Sequence, residues 1–428
     1  MDIGFTEEQE LLRTSARKFL ENECPTTFVR QRMAEPAAVT EAFWQELANQ
    51  GWLGILYPEE AGGSGLGLVD MTVLMEEMGR AVMPGPFFST VLLGGAAILE
   101  AGSPAQRQEW LPRITAGEAK VSLAWTEPNA RWDAAGIVAA GRETAGGFIL
   151  SGTKLFVPDA HLSDALVVAA RTRDGSTMED GVSLFLVPKD APGLTITLLP
   201  TIDETRKLCE VKLDNVALPA TALLGERHGG WPELARVLDR ATVALCAEMC
   251  GGAQRVLDMT TDYAKIRIAF GKPIGSYQGV KHRAADMLVA IENAKSLTYY
   301  AAWALDEGLA EAPLAVSMAK AAASDMYRTV AGTGIQLHGG IGMTWEHDLQ
   351  LYFKRAKASE VAFGEPPGTA SASPGCSPFS HGQETRIRID RGPVRSGRFR
   401  CRRRNRNNSR RHRGYTKVAR NTQDRRTR

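Results

Sequence analysis

An acidic residue lies inside an apolar stretch of the sequence, where a charge needs an explanation. Glu248 occurs in VALCAEMCGG, a segment with helical spacing. A carboxylate removed from water is costly unless it is paired or used, so the position indicates either a buried ion pair or a functional acid. A pair with an arginine across a subunit interface explains the residue as well as catalysis does, and the two interpretations stay open.

The cysteines and histidines form no metal-binding pattern. The sequence has 6 cysteines and 7 histidines, without a CxxC pair or an HExxH motif. Cys246 and Cys250 are four residues apart, as neighbours on one helix face would be, but they lie in apolar surroundings. Small buried hydrophobic residues are the better interpretation, and we expect no metal site.

A glycine-rich stretch, GGSGLG at 62–67, has part of the spacing of a dinucleotide-binding loop. It follows YPEEA rather than a buried strand, and no β-α-β pattern surrounds it. A turn before the helix VDMTVLMEEMGR is therefore preferred, and a Rossmann-type NAD site is not supported.

The secondary structure that the sequence predicts changes type twice along the chain, from helices to strands and back to helices. Helical spacing runs through the first segment, which opens with a capping box at Thr6 and Gln9. From about Val121 short runs rich in β-forming residues follow, and CEVKLDNV alternates apolar and polar residues. After Gly230 long helical blocks return. The pattern predicts an α+β fold, which we divide into an N-terminal helical domain (1–119), a middle β-domain (120–228), a C-terminal helical domain (229–364) and a tail (365–428).

Composition and charge separate the tail from the rest of the chain. The tail has 17 arginines and one lysine against four acidic residues, which gives it a net charge of +14. Because the formal net charge of the whole chain is +2, the remainder carries a net charge of −12. With 44% hydrophobic and 23% charged residues, the chain is typical of a globular protein. No apolar run approaches the roughly 20 residues that span a bilayer, and the acidic N-terminus is unlike a secretory signal, so we expect a cytoplasmic protein.

Five stretches occur in an order and at a spacing that resemble the acyl-CoA dehydrogenase family. They are PEEAGGSGLGLVDMTVLMEEMGR, AWTEPNARWD, GTKLFVPDA, RIAFGKPIGSYQGVKHRAADM and IQLHGGIGMTWEHDLQLYFKRAKASE, and the likeness covers residues 1–364. The resemblance implies a C-terminal domain of four helices, FAD as cofactor and self-association as a homodimer or homotetramer. It also implies α,β-dehydrogenation of an acyl-CoA, with electrons passed to an electron-transfer flavoprotein.

The resemblance further implies a set of flavin-binding residues. Trp125, Thr126 and Phe156 would contact the flavin ring. Arginine suits a pyrophosphate because its planar fork matches phosphate oxygens, and glycine lets the backbone approach a cofactor closely. The pyrophosphate and adenine would be held, partly from a neighbouring subunit, by Arg267, Phe270, Gln278, Gln336, Gly339 and Gly340.

The sequence departs from the family pattern at positions that matter for catalysis. Pro158 stands where a hydroxyl residue normally lies near the flavin, so one hydrogen-bond donor is absent. Trp132 replaces a small residue in the turn that normally contacts the CoA arm. The two positions at which family members have the catalytic glutamate are matched here by Phe363 and Ala241.

Glu248 is our candidate for a displaced catalytic base. It follows Ala241 by seven residues, which on a helix returns to within roughly 20° of the same face, about 10 Å along the axis. Glu127, Asp159 and Glu360 are weaker candidates. The alternative is a chain that lacks the base and forms a heteromeric dehydrogenase with a catalytic relative.

The tail suggests a different class of function. RFRCRRRNRNNSRRHRGYTK could contact nucleic-acid phosphates. The tail has few aromatic residues, no recognised nucleic-acid-binding motif and no apolar periodicity, so we expect a disordered tail and do not favour a nucleic-acid partner. Its arginine-heavy, lysine-poor composition from Glu365 suggests a frameshifted or read-through reading frame, which sequencing the gene around codon 365 would test.

Overall fold

The computed structural model describes residues 4–173, 175 and 179–364. The predicted tail, and the predictions of disorder and nucleic-acid binding that rest on it, lie outside these residues. Within them, helices precede a β-sheet and further helices follow it, so the predicted α+β order is confirmed. The domain limits at 119/120 and 228/229 stay predictions.

Among the described residues, the N-terminal part has six α-helices, one π-helical segment and two short 3-10 segments. The predicted capping box opens the first helix: the amide of Gln9 donates to Thr6 Oγ1 at 3.3 Å, and the amide of Thr6 donates to Gln9 Oε1 at 3.0 Å. A π-helical segment over Phe88–Gly94 leads directly into the fifth helix. The helices are α1 (Glu7–Glu23), α2 (Thr26–Met33), α3 (Glu41–Asn49), α4 (Leu68–Arg80), α5 (Gly95–Ala101) and α6 (Pro104–Thr115).

The middle part is an eight-stranded sheet with the order β6-β7-β3-β2-β4-β5-β8, and β1 pairs in parallel with β4. The predicted alternation of β7 is confirmed, because Cys209, Val211 and Leu213 are buried while Lys212 and Asp214 face solvent. The strands are β1 (Val121–Ala124), β2 (Ala140–Thr144), β3 (Gly147–Pro158), β4 (Ala165–Arg171), β5 (Val182–Pro188), β6 (Leu194–Leu199), β7 (Leu208–Pro219) and β8 (Leu223–Leu224).

The C-terminal part has four helices, as the resemblance implied, and a short hairpin. Its elements are α7 (Trp231–Ile266), β9 (Ile268–Ala269), β10 (Lys272–Pro273), α8 (Gln278–Asp306), α9 (Ala312–His338) and α10 (Leu349–Val361). In the part of the chain that the structure describes, no helix is both long and apolar enough to cross a membrane.

Helices α4 and α7 cross at two glycines, which fixes the place of Glu248. A Cβ on Gly79 would lie 2.0 Å from the carbonyl oxygen of Glu248, and one on Gly251 would lie 1.8 Å from that of Glu76. Only residues without a side chain permit backbones to approach this closely. The crossing therefore holds the middle of α7 against α4.

Candidate functional site

The end of β1 and the last third of β3 bring three of the predicted flavin-contacting residues together. The amide of Leu155 donates to the carbonyl of Thr126 at 2.9 Å, and the Thr126 hydroxyl donates to the carbonyl of Leu155. The pairing of β3 with β7 shifts register here, and Phe156 adopts a φ of +56°, which is uncommon for a bulky residue. Trp125 is buried, whereas Phe156 is 52% exposed. The side chain of Phe156 is thus open to a ligand beside the backbone of Trp125 and Thr126.

Glu127 fixes the turn that follows Thr126. Its carboxylate accepts hydrogen bonds from Lys154 Nζ at 2.6 Å and from the amides of Val138 and Ala139 at 3.0 Å each. The residues Glu127 and Lys154 are almost fully buried. A buried carboxylate that accepts this many hydrogen bonds has a structural role.

Trp132, which replaces a small residue of the family pattern, packs inward. Its ring lies 5.5 Å from that of Trp125 in an edge-to-face arrangement, and the neighbouring Arg131 and Asp133 form an ion pair at 2.6 Å. The turn that the resemblance assigns to CoA contact is therefore coupled to the residue assigned to the flavin.

The remaining predicted cofactor residues lie on the surface of the C-terminal helices and hairpin. Phe270, in the turn between β9 and β10, is 97% exposed and has a φ of +52°. A Cβ on Gly339 or Gly340 would meet no atom within 4 Å. Arg267, Gln278 and Gln336 are likewise exposed. No hydrogen bond or ring contact within the described ranges joins this group directly to Trp125, Thr126 or Phe156.

The two positions of the family's catalytic glutamate are closed by apolar packing. Phe363 is 8% exposed, and its ring centroid lies 6.1 Å from that of Phe88 in the π-helical segment. Its φ of +59° directs the chain into Gly364, whose φ is +101°. Ala241 is fully buried on α7. Neither position offers a group that could accept a proton.

Glu248 is a buried ion-pair partner. Arg206 Nη2 lies 2.5 Å from Glu248 Oε2, and Arg355 Nη1 donates to Oε1. Arg355, which is 2% exposed, also pairs with Asp203 at 2.7 Å and donates to Thr205. Burial raises the pKa of Glu248, but the two guanidinium groups outweigh it, and the pKa lies below its ordinary value.

These contacts bear directly on the candidate base. A carboxylate whose two oxygens accept from arginines, and whose pKa is lowered, is poorly suited to removing a proton from carbon. The paired-charge interpretation matches the observed contacts, with the difference that the arginines belong to the same chain rather than to a neighbouring subunit. A catalytic role for Glu248 stays a prediction, and the geometry weighs against it.

Lys320 is a positioning residue that the sequence reasoning missed. Its buried amino group donates to the carbonyl of Glu360 at 2.9 Å, to that of Ser359 at 3.3 Å and to Ser324 Oγ at 2.9 Å. It therefore anchors the end of α10, immediately before Phe363. The signal available in the sequence was a lysine among small apolar residues, in SMAKAAAS.

Two other buried carboxyl groups have an oxygen without a hydrogen-bond partner among the described residues. Asp159 Oδ2 accepts from Ser89 Oγ at 2.8 Å while Oδ1 is unpaired, and burial raises the pKa of Asp159. Asp239, two residues before Ala241, has an unpaired Oδ1, and burial raises its pKa to about 7. The sequence reasoning gave Asp159 little weight and did not consider Asp239.

Comparisons with known proteins agree with the resemblance. Residues 6–118, 122–216 and 228–366 match the models of the acyl-CoA dehydrogenase N-terminal, middle and C-terminal domains. The acyl-CoA dehydrogenase IpdE2 of Mycolicibacterium smegmatis is 32% identical over 363 residues, which cover 84% of this chain and 96% of the relative.

Solved structures show the same likeness. Butyryl-CoA dehydrogenase from Megasphaera elsdenii superimposes with a TM-score of 0.80 at 27% identity, covering 86% of this chain and 97% of the other. A glutaryl-CoA dehydrogenase from Mycobacterium smegmatis in complex with FADH2 gives a TM-score of 0.77 at 25% identity, covering 85% and 92%. The three domain matches and the nearly full-length relative leave one conclusion: the chain belongs to the acyl-CoA dehydrogenase family.

Proposed function

We propose that this chain is an FAD-binding oxidoreductase subunit that takes part in α,β-dehydrogenation of an acyl-CoA thioester and passes electrons to an electron-transfer flavoprotein. The observation that carries the proposal is the irregular end of β3, where Phe156 is exposed beside Trp125 and Thr126. The family membership supplies the reaction type, and the ordered site segments support flavin binding.

The residues present fit FAD. Phe156 and Phe270 are aromatic residues held open at positive φ, and strained backbone of this kind clusters at ligand sites. Arg267 is exposed and has no carboxylate within ion-pair distance among the described residues, so its charge is available to a pyrophosphate. The open space over Gly339 and Gly340 admits a close approach. In line with the family resemblance, we propose that the exposed residues of the C-terminal helices and hairpin complete the FAD site of a neighbouring subunit.

In this proposal each residue has a limited task. When bound, FAD supplies the acceptor for the hydride that leaves the β-carbon of the substrate. Arg267 offsets the charge of the pyrophosphate, and Trp125 and Phe156 contact the ring system. Pro158 offers no N–H or hydroxyl, so the backbone of neighbouring residues must supply the hydrogen bonds there.

The α-proton of the substrate needs an acceptor, and the observed contacts favour one from a related subunit. Phe363 and Ala241 fill the two family positions, and Arg206 and Arg355 hold Glu248. We therefore give the heteromeric alternative precedence over a displaced base in this chain. A homodimer or homotetramer is the expected assembly if Glu248 proves to be the base. The cytoplasmic location stays a prediction.

The first experiment is to purify the chain alone and together with a family member that has the catalytic glutamate. Flavin content is read from the visible spectrum, and anaerobic reduction is followed with straight, branched and cyclic acyl-CoA substrates. We expect flavin in the complex, and reduction by an acyl-CoA only when the second subunit is present. Reduction by the chain alone would support a base within it, and a colourless chain and complex would contradict flavin binding.

A pair of variants locates the cofactor. Arg267→Gln should weaken FAD binding by at least tenfold, because a charge-assisted contact to the pyrophosphate is lost. Arg236→Gln is the control, since Arg236 is a half-exposed residue on α7 that pairs with Glu100. Equal FAD affinity in the two variants would argue against the assigned role of Arg267.

A further inference from the structure

A cavity of about 210 Å³ is lined by none of the residues assigned to flavin or to the CoA arm. Side chains from α1, α4, α7 and α10, together with the start of α2, form its walls. At roughly 30 Å³ for each water molecule in the liquid, the volume accommodates several waters or one small ligand. Three arginines line it, Arg17, Arg80 and Arg255.

The positive charges of the cavity are only partly balanced. Arg17 forms a bidentate ion pair with Glu77, with N–O distances of 2.9 and 2.7 Å, and Arg80 pairs with Asp258 at 2.6 Å. Arg255 has no carboxylate within the 4.0 Å ion-pair distance among the described residues. One guanidinium group therefore lines the cavity without an anionic partner.

Tyr352 and Cys24 also line the cavity and add no negative charge. The hydroxyl of Tyr352 donates to the carbonyl of Arg80 at 2.6 Å. Burial raises the pKa of Tyr352, an effect that nearby Arg255 opposes, so the phenol stays neutral. Burial likewise raises the pKa of the Cys24 thiol to about 12. An anion entering the cavity meets neutral groups there rather than a thiolate or a phenolate.

The start of α2 faces the same space. Pro25 and Thr26 line the cavity, and the first turn of α2 has neither a side-chain cap nor an acidic residue. The first amides of a helix have no partner within the helix and carry a partial positive charge, which favours anions. The helix terminus and Arg255 thus present positive potential from two separate elements.

Two acidic side chains also line the cavity and must be considered. Glu77 is already neutralised by Arg17. Glu21 is exposed, where water screens its charge. Neither forms an ion pair with Arg255 within the described residues, so the Arg255 guanidinium group stays available to an anion in the cavity.

We propose that this cavity binds a small oxyanion, a phosphate or carboxylate group, between Arg255, Arg80 and the start of α2. The proposal is independent of the flavin site and of the identity of the base. An occupant would link α2 to α7 and α10, and so connect N-terminal and C-terminal helices.

The test is isothermal titration of the full chain with inorganic phosphate and, separately, with malonate, at constant ionic strength set by chloride. We expect one saturable site per chain for at least one of the two anions, with affinity at least tenfold lower in Arg255→Gln. Arg236→Gln is the matched control, because Arg236 is an arginine of the same helix α7 that pairs with Glu100 and does not line the cavity, and the affinity of this variant should stay within twofold of the wild type. Binding of phosphate alone identifies a phosphate-type ligand, and binding of malonate alone a carboxylate.

Two results would overturn the proposal: no saturable binding of either anion, or binding by Arg255→Gln equal to that of the wild type. Circular dichroism establishes that each variant is folded. If the glutamine variant does not fold, Arg255→Met decides the same comparison, because methionine keeps an unbranched apolar stem and removes the charge. An affinity unchanged in a folded Arg255→Met variant would overturn the proposal.

Discussion

Replacing Glu248 by glutamine separates the two roles considered for this residue. As an ion-pair partner, Glu248 neutralises Arg355, which is 2% exposed, and Arg206. The glutamine has nearly the same shape but no charge, so Arg355 would keep only Asp203 as an anionic partner. If Glu248 instead serves mainly as the catalytic base, the same substitution should abolish activity and change the stability of the fold little.

The size of the expected effect follows from burial. Removing one partner of a buried pair costs about 3–5 kcal/mol, because the other charge is left uncompensated. With an unfolding entropy of about 2.1 cal/mol/K per residue, some 360 folded residues unfolding in one transition give roughly 0.8 kcal/mol/K. We therefore expect the melting temperature to fall by about 4–6 °C at pH 7.

The pH dependence provides a second readout. The pKa of Glu248 is lowered in the folded state, so its stabilising contribution is complete above its ordinary pKa of 4.5 and is lost as the pH falls through the folded-state value. The difference in stability between wild type and Glu248→Gln should therefore be largest near neutral pH and shrink in acid.

Calorimetric melting and anaerobic flavin reduction are to be measured on the same preparations. Glu100→Gln is the matched control: Glu100 also contacts two arginines, Arg236 and Arg240, but these are more exposed, so the cost should stay below about 1 kcal/mol. The structural role would be refuted if the Glu248→Gln protein had the melting temperature of the wild type but its flavin were no longer reduced by an acyl-CoA. That result would restore Glu248 as the base.

Three further variants test other parts of the structure. Phe363→Glu places a carboxylate at the family's base position, so the chain purified without a second subunit type should show flavin reduction by an acyl-CoA. Phe363→Gln should not. Equal flavin reduction in the two variants would count against position 363 as the site of the base. The free energy of unfolding of Asp239→Asn, measured in urea, should rise relative to that of the wild type as the pH increases from about 4 to about 7, by up to about 4 kcal/mol. The reason is that the folded state keeps a proton that the unfolded chain, with an ordinary pKa of 3.8, has lost; a pH-independent difference would contradict this. Gly79→Ala should destabilise the fold by about 1–3 kcal/mol in the same assay, because its Cβ would lie 2.0 Å from the Glu248 carbonyl oxygen. Gly332→Ala, in open space on α9, should be neutral or stabilising, and similar losses in both would show that the helix crossing is not the cause.

The sequence by itself determined the order of elements and the family. The period of the apolar residues gives the helices and the alternation of β7 because it reflects local backbone geometry. The capping box at Thr6 and Gln9 is equally local. The five ordered motifs were sufficient for the family because each combines several residues at fixed spacing. The absence of a glutamate at positions 241 and 363 could likewise be read directly from the sequence.

The tertiary structure alone decided what the buried charges do. Arg206 and Arg355 lie 42 and 107 residues from Glu248, and no local pattern links them. They meet where α10 and the segment before β7 pack against the middle of α7, which Gly79 and Gly251 hold against α4. The contact of Phe363 with Phe88, and the anchoring of α10 by Lys320, depend on the same long-range packing. Periodicity fixes which face of a helix is buried, but the partners of a buried side chain are set by how distant segments pack.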